Sequence, residues 1–392
     1  MNDAWLVAGK RTPIGRFLGD FASLSAPELA GHALRATVQA SGIPEDAIGE
    51  VLLGQVLAGG VGQAPSRQAA HAAGIPDSVG CASVNKVCGS GLFAVMLAAR
   101  TIQCGLHAAI AAGGMESMSL APHLLRGGRS GWKYGSQPML DAIEVDGLKC
   151  ARSGSLMGVY AESVAERFSV SRADQDAWSL SSHQRAIAAQ QSGALASEIV
   201  PVVVSDKLTV SADAGPRADS SLERLGKLKP AFLDSGSVTA GNASTLSDGA
   251  ASLLVVNDAM RDRLPSQTAF RIVGTAVHSQ RPEDLFIAPV GAIQKLLQHA
   301  SLTVHDIDLV EINEAFASQT VACIRGLNLD PERVNVHGGA IALGHPIGCS
   351  GARVLVTLMH ALEHRGKRLG VAALCLGGGE AVAMLIERHE AK

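Results

Sequence analysis

Cys88-Gly89-Ser90-Gly91 is the stretch of sequence that decides the fold, because the order of segments that follows it occurs twice in the chain. An apolar segment continues to Ile102, and a run of small residues at 108–112 leads into Gly113-Gly114-Met115-Glu116. Gly348-Cys349-Ser350-Gly351 starts the same order again, with an apolar segment to Leu362, a run at 371–376 and the cluster Gly377-Gly378-Gly379-Glu380. We interpret the repeat as a structural duplication, and a chance likeness between two Ala/Gly-rich βα units is the alternative.

The repeated apolar segments predict how the two halves pack. Residues 92–102 and 354–362 are apolar almost all round, which indicates helices that are buried on every side. The runs 108–112, 253–256 and 371–376 are short and continuously apolar, which is typical of strands covered on both faces. We therefore predict an α/β fold in which one helix from each half forms a central layer between two sheets.

The chain between the two halves has a different character. The spacing of apolar residues over 157–168 predicts one helix, and Ser171 with Asp174 predicts the start of a second helix that stops at Gly193. We predict an N-terminal half at 1–120 that is completed by 244–268. A loop or insertion domain at 121–243 is predicted to cover the site, and a C-terminal half occupies 269–392.

Composition excludes several classes of protein. The 33 basic and 36 acidic residues give a net charge of −3, so the chain has no excess of positive charge that would favour binding to nucleic acid. No window of about 18 residues is free of charged or polar breaks, so no membrane-spanning helix is predicted, and the N-terminus lacks a secretory pattern. Seven cysteines without a CxxC pair argue against a disulfide framework or a zinc ribbon. We expect a soluble, cytoplasmic protein.

Cys88 and His345 are candidates for a nucleophile and its base. Cys88 directly precedes a predicted helix, whose dipole and a nearby histidine are expected to lower the pKa of the thiol. His345 lies in a glycine-rich loop before Pro346 and is a suitable general base for a thiol. Each also has an ordinary interpretation, since free cysteines are most often structural and loop histidines often cap backbone carbonyls.

Cys375 and Asn313 lie at the ends of predicted strands, where α/β proteins collect their sites. Cys375 meets the glycines at 377–379, whose backbone amides can point at one oxygen and form an oxyanion hole. A core cysteine and a helix N-cap are the ordinary interpretations of these two residues. Two thiols, one imidazole and one amide on glycine-rich strand ends form a much narrower combination than any single motif.

Taken together, these residues resemble the thiolase family. Six stretches, besides the opening residues 9–15, follow the family order over nearly the whole chain: 85–92, 112–119, 239–244, 313–316, 338–351 and 375–379. The two cysteines are similar to those of thiolases rather than to the decarboxylating ketoacyl synthases, which share the fold but pair one Cys with two His or with His and Asn. The resemblance implies duplicated βαβαβαββ halves that form a five-layered αβαβα core with a loop or insertion domain.

The resemblance also implies a reaction, namely reversible condensation of two acetyl-CoA to acetoacetyl-CoA and CoA, or thiolysis of a 3-ketoacyl-CoA. Cys88 would hold the acyl group after His345 takes its proton, and Cys375 would remove the α-proton of the incoming acetyl-CoA. Asn313, through a water, and His345 would form one oxyanion hole. The backbone amides of Cys88 and Gly377 would form the other.

For coenzyme A, the resemblance implies a set of contacts along the molecule: Met157, Arg217, Leu228, Ala243, Ser244, Ala315 and Phe316. Arg224, Lys227 and Lys229 add basic charge for phosphates, although solvated surface is the commoner place for such residues. The CoA thioesters are substrates, and no metal or redox cofactor is implied. The resemblance further implies fatty acid metabolism and a homo-oligomer, either a dimer or a tetramer joined through the loop near 127–140.

Several residues depart from the family pattern and concern the acyl pocket. Glu380 replaces an uncharged residue, and it would either raise the pKa of Cys375 or point away. Leu156 and Phe286 replace His and Gly, and Thr245 and Ser247 replace Gly and Asn. We expect a short-chain substrate. The alternatives are a non-catalytic acyl-CoA-binding protein, a decarboxylating ketoacyl synthase and a Cys–His hydrolase.

Overall fold

The computed structural model of the chain describes residues 2–264 and 268–390. The first half contains strands β1 (Trp5–Arg11), β2 (Gly15–Arg16), β3 (Glu50–Gly54), β4 (Gly80–Val84) and β5 (Ala109–Ser117), and helices α1 (Ala26–Ser41), α2 (Pro65–Ala73) and α3 (Ser90–Gln103). Local sequence sets the bounds of α1, because Ser25 and Glu28 form a capping box at its start and Gly42, in the left-handed conformation, ends it.

The predicted insertion contains short hairpins and two long helices. Its elements are β6 (His123–Leu124), β7 (Leu140–Asp141), a π-helical turn (Ile143–Leu148), α4 (Met157–Arg167), α5 (Arg172–Gln191), β8 (Val202–Ser205), β9 (Leu208–Val210) and α6 (Leu222–Gly226). The two predicted helices are confirmed, and Ser171 and Asp174 form the expected capping box of α5. Both helices pack against the C-terminal half. The domain boundaries stay a prediction.

The remaining elements complete the first half and build the second. They are β10 (Ser247–Val256), α7 (Asp258–Arg261), β11 (Ala269–Ser279), α8 (Ala288–His299), β12 (Leu309–Ile312), α9 (Ala317–Leu327), α10 (Ala340–Leu343), α11 (Ser350–His364), β13 (Leu369–Leu376) and β14 (Glu380–His389). Single-turn or short 3-10 helices lie at Glu45–Ala47, Pro282–Ile287, Val304–Asp306 and Pro331–Arg333. The small-residue runs of the sequence became β5, β10 and β13, which are almost completely buried.

The predicted βαβαβαββ order is confirmed in the first half and is incomplete in the second. Where a third strand is expected between α9 and α11, the described chain has only an isolated bridge between Val334 and Val310. Asn335 ends the extended conformation because its φ is +48°. Its side chain accepts from the Ile312 backbone N–H at 2.9 Å and donates to the Ile312 carbonyl at 2.8 Å. An amide side chain thus takes the place of a neighbouring strand.

The two predicted sheets are joined edge to edge. Among the described residues, ten strands form one sheet in the order β12-β13-β14-β11-β1-β10-β5-β3-β4, with β2 paired to β10. The halves meet where β1 pairs with β11 through Trp5 with Arg271 and Leu6 with Phe270. This pairing involves two residue pairs, and each half-sheet still has two faces that other elements must bury.

Three apolar cores show the five layers that the resemblance implies. One core lies between the half-sheets and is built around α3 and α11. A second packs α1 and α2 on the outer face of the first half, and a third packs α8 and α9 on the outer face of the second. Burial of apolar side chains on both faces of each half-sheet stabilises this arrangement. The predicted central layer of two buried helices is confirmed.

The central helices approach each other through the glycines of the repeat. A Cβ on Gly351 would lie 2.4 Å from the backbone nitrogen of Leu92, and one on Gly91 would lie 2.8 Å from that of Ala352. Only glycine permits backbones to come this close. The close approach places the N-terminus of α3 beside that of α11, which brings the two repeated turns to one place. No helix of the described chain has both the length and the apolar character needed to span a bilayer.

Candidate active site

Cys88 is held in a tight turn at the start of α3. Val87 has a φ of +47°, an unfavourable conformation for a β-branched residue. The Ser90 hydroxyl donates to the Val87 carbonyl at 2.6 Å and accepts from the Lys86 backbone N–H at 2.8 Å. These bonds hold the turn in a strained shape that presents the sulfur of Cys88 next to a helix N-terminus.

Four of the five predicted catalytic residues line one cavity of about 500 Å³: Cys88, His345, Cys375 and Gly377. They come from the N-terminus of α3, the loop before α11 and the end of β13, and Cys88 is more than 250 positions away from the other three in the sequence. The fold therefore brings both thiols and the imidazole to one cavity. Asn313, the fifth residue, is fully buried, and its amide nitrogen contacts the imidazole of His345.

Burial sets the direction in which the pKa of the Cys88 thiol shifts. Burial raises the pKa of Cys88 to about 12, although the backbone N–H groups of Gly377 and of Cys88 itself act in the opposite direction. The expectation of a lowered pKa is wrong, because the loss of hydration on burial outweighs the backbone N–H groups that favour the thiolate. The same two amides are the donors that the resemblance assigns to an oxyanion hole.

Cys375 lies one residue before the end of β13 and is buried. Burial raises its pKa well above the usual value, and the neighbouring thiols of Cys88 and Cys323 raise it further. Cys375 and Cys88 line the same cavity, which is consistent with this effect of one thiol on the other. Both thiols are therefore protonated in the resting protein at neutral pH.

His345 belongs to a buried polar network. Its Nδ1 lies 2.6 Å from the Ser350 hydroxyl, and the amide nitrogen of Asn313 lies 3.4 Å from Nδ1 and 3.5 Å from Nε2. Arg353 donates to the Asn313 carbonyl oxygen at 3.4 Å. Burial lowers the pKa of His345 to about 3, with a smaller contribution from the charge of Arg353, so the imidazole is neutral.

The two repeated glutamates have different environments. Glu116 is fully buried, and its carboxylate accepts from the backbone N–H groups of Val56, Leu57 and Gly348 at 2.9–3.1 Å. Burial raises its pKa to about 7, against the effect of these bonds. Glu380 instead forms an ion pair with Lys86 and accepts from Ser279. The Glu380 carboxylate thus bonds to groups other than Cys375, as in the second of the two orientations that the sequence left open.

The predicted CoA contacts divide between two adjoining cavities. Met157, Ala243, Ser244, Ala315 and Phe316 line the cavity that contains the thiols. Arg217 and Leu228 line a second cavity of about 450 Å³. The two cavities share the wall formed by three residues: Ala240, Thr245 and Leu246. A bridge between Ala243 and Phe316 joins two loops along the inner cavity.

The second cavity is rich in basic groups, and sequence reasoning found only part of them. Arg16, Arg217 and Arg224 line it together with His183. Burial and the charge of Arg217 lower the pKa of His183 to about 4, so this histidine is neutral. Lys227 lies in an exposed ion pair with Glu223 instead. Arg16 and His183 carry no motif that points to this cavity, because tertiary contacts alone bring them there.

Aromatic side chains line the apolar end of the inner cavity. The rings of Phe286 and Phe316 meet edge to face with centroids 5.2 Å apart, and Phe232 meets Phe316 at 6.0 Å. Leu156 also lines this cavity. Among the described residues, no group of three or more His, Cys, Asp or Glu side chains has an arrangement suited to a metal ion.

Comparison with known proteins identifies the class to which this fold and site belong. A model of the thiolase N-terminal domain matches residues 4–259, and a model of the thiolase C-terminal domain matches residues 266–388. The chain belongs to the thiolase family and is an acyltransferase with thiolase function.

Individual relatives are similar over their whole length. An acetyl-CoA acetyltransferase of Escherichia coli strain K12 is 48% identical over 392 residues, which cover 99% of this chain and 100% of the relative. One of Chromobacterium violaceum is 47% identical, with coverages of 98% and 99%. The crystal structure of the Bacillus anthracis acetyl-CoA acetyltransferase superposes with a TM-score of 0.96 at 40% identity and covers 99% of both chains.

Proposed function

We propose that this protein is an acetyl-CoA C-acyltransferase that works through an acyl-Cys88 intermediate. It condenses two acetyl-CoA to acetoacetyl-CoA and CoA, or cleaves a short-chain 3-ketoacyl-CoA in the reverse direction. The observation that carries the proposal is the meeting of Cys88, Cys375 and His345 on one cavity. Relatives named acetyl-CoA acetyltransferase over their full length support the choice of substrate.

Acylation needs a base because the Cys88 thiol is protonated. In this step His345 takes the thiol proton while the sulfur attacks the thioester carbonyl of acetyl-CoA. The carbonyl oxygen becomes an oxyanion, which donors at fixed positions stabilise. The thioester C–S bond then breaks, and the departing CoA thiolate takes the proton of Cys375. The products are acetyl-Cys88, CoA, a Cys375 thiolate and a protonated His345.

Condensation uses the Cys375 thiolate that acylation leaves. Cys375 removes the α-proton of a second acetyl-CoA, and the resulting enolate attacks the acetyl carbon on Cys88. The new C–C bond forms as the Cys88 sulfur leaves, and His345 returns its proton to that sulfur. The cycle restores both thiols and the neutral imidazole. Asn313 and His345 are proposed donors to one oxyanion, and the amides of Cys88 and Gly377 to the other.

The outer cavity is proposed to hold the nucleotide end of CoA. Its arginines, Arg217 and Arg224 among them, suit phosphate groups, and the apolar inner cavity suits the pantetheine and a short acyl chain. CoA thioesters act here as substrates, and the proposed chemistry needs no further cofactor. Phe286 and Leu156 line the inner cavity, and their bulk is proposed to favour a short acyl chain.

We further propose a cytoplasmic homo-oligomer, a dimer or tetramer, that serves fatty acid metabolism. Strand β4 is an exposed sheet edge with one neighbour, and such edges are suited to pairing with a second copy. Apolar side chains are also exposed on the loop around the β6–β7 hairpin, namely Leu125, Trp132, Tyr134 and Met139. All seven cysteines are free thiols, as expected in a reducing compartment. Sedimentation at the monomer mass of 40.3 kDa alone would contradict the oligomer.

The reaction is tested by CoA-dependent loss of acetoacetyl-CoA absorbance. We expect the wild-type protein to consume acetoacetyl-CoA only with CoA present, and the Cys88→Ala variant to lose the activity. Binding of acyl-CoA without turnover would instead indicate a non-catalytic protein. Use of malonyl in place of acetyl donors would indicate a decarboxylating condensing enzyme, and CoA-independent breakdown would indicate a hydrolase.

A further inference from the structure

Ser350 is the hydrogen-bond partner of His345 that the proposed mechanism has not used. It is the first residue of α11, and its side chain is buried. Its Oγ lies 2.6 Å from His345 Nδ1 and 3.0 Å from the Pro346 carbonyl oxygen. A hydroxyl has one proton to donate, so the direction of these two bonds fixes the location of the imidazole proton.

The duplication indicates which direction the bonds take. Ser90 is the equivalent residue in the first half, and its hydroxyl donates to the carbonyl of Val87 in the preceding turn. It also accepts from the backbone N–H of Lys86, which can only donate. Ser350 also lies between a carbonyl and a nitrogen: the Pro346 carbonyl, which can only accept, and the ring Nδ1 of His345 where Ser90 has a backbone N–H. The Ser350 hydroxyl therefore donates to Pro346 and accepts from Nδ1–H.

Asn313 also contacts the imidazole, and its position is compatible with this location of the proton. Arg353 donates to the Asn313 carbonyl oxygen, so the amide nitrogen is the end that faces His345. An amide nitrogen only donates, and it lies at similar distances from Nδ1 and Nε2. With Nδ1–H directed at Ser350, Nε2 is the ring nitrogen that keeps a lone pair, and the long contact of 3.5 Å to Asn313 leaves that lone pair available to a stronger donor.

We propose that Ser350 is a positioning residue that holds the proton of His345 on Nδ1 and leaves Nε2 free to accept the thiol proton of Cys88. The inference rests on the proposed function, since it assigns the state of the base in that reaction. When Nε2 takes the thiol proton, the imidazolium keeps its Nδ1–H bond to Ser350. The orientation of the ring is thus the same before and after the transfer.

The proton position is measured directly by magic-angle-spinning NMR of the whole protein labelled with 15N-histidine. The chain has 13 histidines, and the signals of His345 are those absent from a His345→Gln spectrum. We expect a protonated Nδ1 and an unprotonated Nε2 in the wild-type protein. The reverse assignment would overturn the inference, and this measurement does not depend on any variant of Ser350.

A kinetic test uses Ser350→Ala and mass spectrometry of Cys88 after brief exposure to acetyl-CoA. We expect the rate of acetylation to fall roughly ten- to a hundred-fold, with little change in KM and a mixture of both proton positions in the NMR spectrum. An unchanged acetylation rate in a folded variant would contradict the inference. Ser179→Ala is the matched control, because Ser179 is buried in α5 and its hydroxyl donates to the Gln175 carbonyl one turn earlier rather than bonding to a histidine.

The two proposals fail in distinguishable ways. A wild-type protein that never acetylates Cys88 refutes the proposed function. A protein that acetylates Cys88 while its His345 proton is on Nε2 refutes only the inference about Ser350.

Discussion

At the scale of single residues, burial is the largest cause of the pKa shifts of Cys88, Cys375 and His345. The same loss of hydration raises the pKa of Cys88 to about 12 and lowers that of His345 to about 3. Before substrate binds, the Cys88 thiol and the His345 imidazole are both neutral and form no ion pair. The proton then moves only when the developing oxyanion and the fixed donors around it can stabilise the new charges.

Cys375→Ala separates the two proposed half-reactions. Without the second thiol, no base remains to remove the α-proton, so we expect condensation and thiolysis to fall by at least about a hundred-fold. Acetyl transfer to Cys88 is still possible, because His345 and the oxyanion donors are intact and the departing CoA thiolate can take its proton from water in place of Cys375. Peptide mass spectrometry after exposure to acetyl-CoA is expected to find Cys88 carrying one acetyl group. Absence of the acetyl group in a folded Cys375→Ala protein would contradict this division of roles.

At the scale of elements, the site depends on how closely α3 and α11 approach. Their N-termini carry the turn of Cys88 and the loop of His345, and the repeated glycines let the two backbones touch. Glu116, in β5, adds three bonds to the loops on either side, including one to Gly348. The geometry of the catalytic groups is thus set by the packing of the central layer rather than by contacts between the groups themselves.

Gly351→Ala is expected to destabilise the protein and to impair the site. The new methyl would lie 2.4 Å from the backbone nitrogen of Leu92, which cannot move as a flexible side chain does. Overpacking of this kind costs about 1–3 kcal/mol of the free energy of unfolding, measurable by urea denaturation. Gly226→Ala is the control, because a Cβ there meets no atom within 4 Å. Equal stability of the two variants would show that the helices can separate without cost.

Strands β11 and β14 are linked by a carboxylate whose effect depends on pH. Burial would raise the pKa of Glu387, but hydrogen bonds from Arg271 and Arg368 outweigh it and hold the pKa at about 2. Because this value lies below that of an unfolded glutamate, about 4.3, the bonds stabilise the folded state above that pH. The contribution is lost as the pH falls from about 4.3 towards 2.

The pH dependence is measured by following the free energy of unfolding of wild-type and Glu387→Gln proteins as the pH is lowered from neutrality. We expect the wild type to lose about 2 kcal/mol more than the variant, a reduced figure because Arg368 is largely exposed and solvent screens it. Parallel curves for the two proteins would show that the carboxylate contributes nothing to folding.

At the scale of the whole molecule, one buried arginine ties together three parts of the chain. Arg11, in β1, pairs with Glu198 at 2.6 Å and with Asp213 at 2.7 Å, and both acids come from the predicted insertion. Thr357, in α11, also donates to Glu198. None of these side chains is more than 6% exposed. The insertion is thereby fixed against both halves of the core.

Asp213→Asn is expected to weaken the whole fold. The asparagine leaves Arg11 paired with Glu198 alone and weakens the bonds that the Asp213 carboxylate accepts from Arg11 and from the Ile14 backbone N–H, at a cost of about 1.5–3 kcal/mol. Urea denaturation at constant protein concentration measures the loss as a lower midpoint with an unchanged slope. Glu223→Gln breaks the solvent-exposed pair with Lys227 and serves as the control. A midpoint as high as that of the control would contradict a structural role for the buried pair.

Much of the fold could be predicted from the sequence because its determinants are local. The capping box at Ser171, the buried helices and the small-residue strands each depend on a few consecutive residues. The prediction failed at the third strand of the second half, where the left-handed backbone of Asn335 leaves only a bridge. The predicted thiols and imidazole do share a cavity, whereas their roles stay predictions that the experiments above address.

The sequence by itself determined which chemical groups this protein has and that glycine turns present them, since residue type and turn formation are properties of short segments. Only the tertiary structure decided how those groups behave. Burial decides the direction of the Cys88 pKa shift. Tertiary contacts decide that Glu380 pairs with Lys86, that Ser350 bonds to His345 and that Arg353 bonds to Asn313. Hydration and electrostatic interaction act through space, so their balance exists only once the chain has folded.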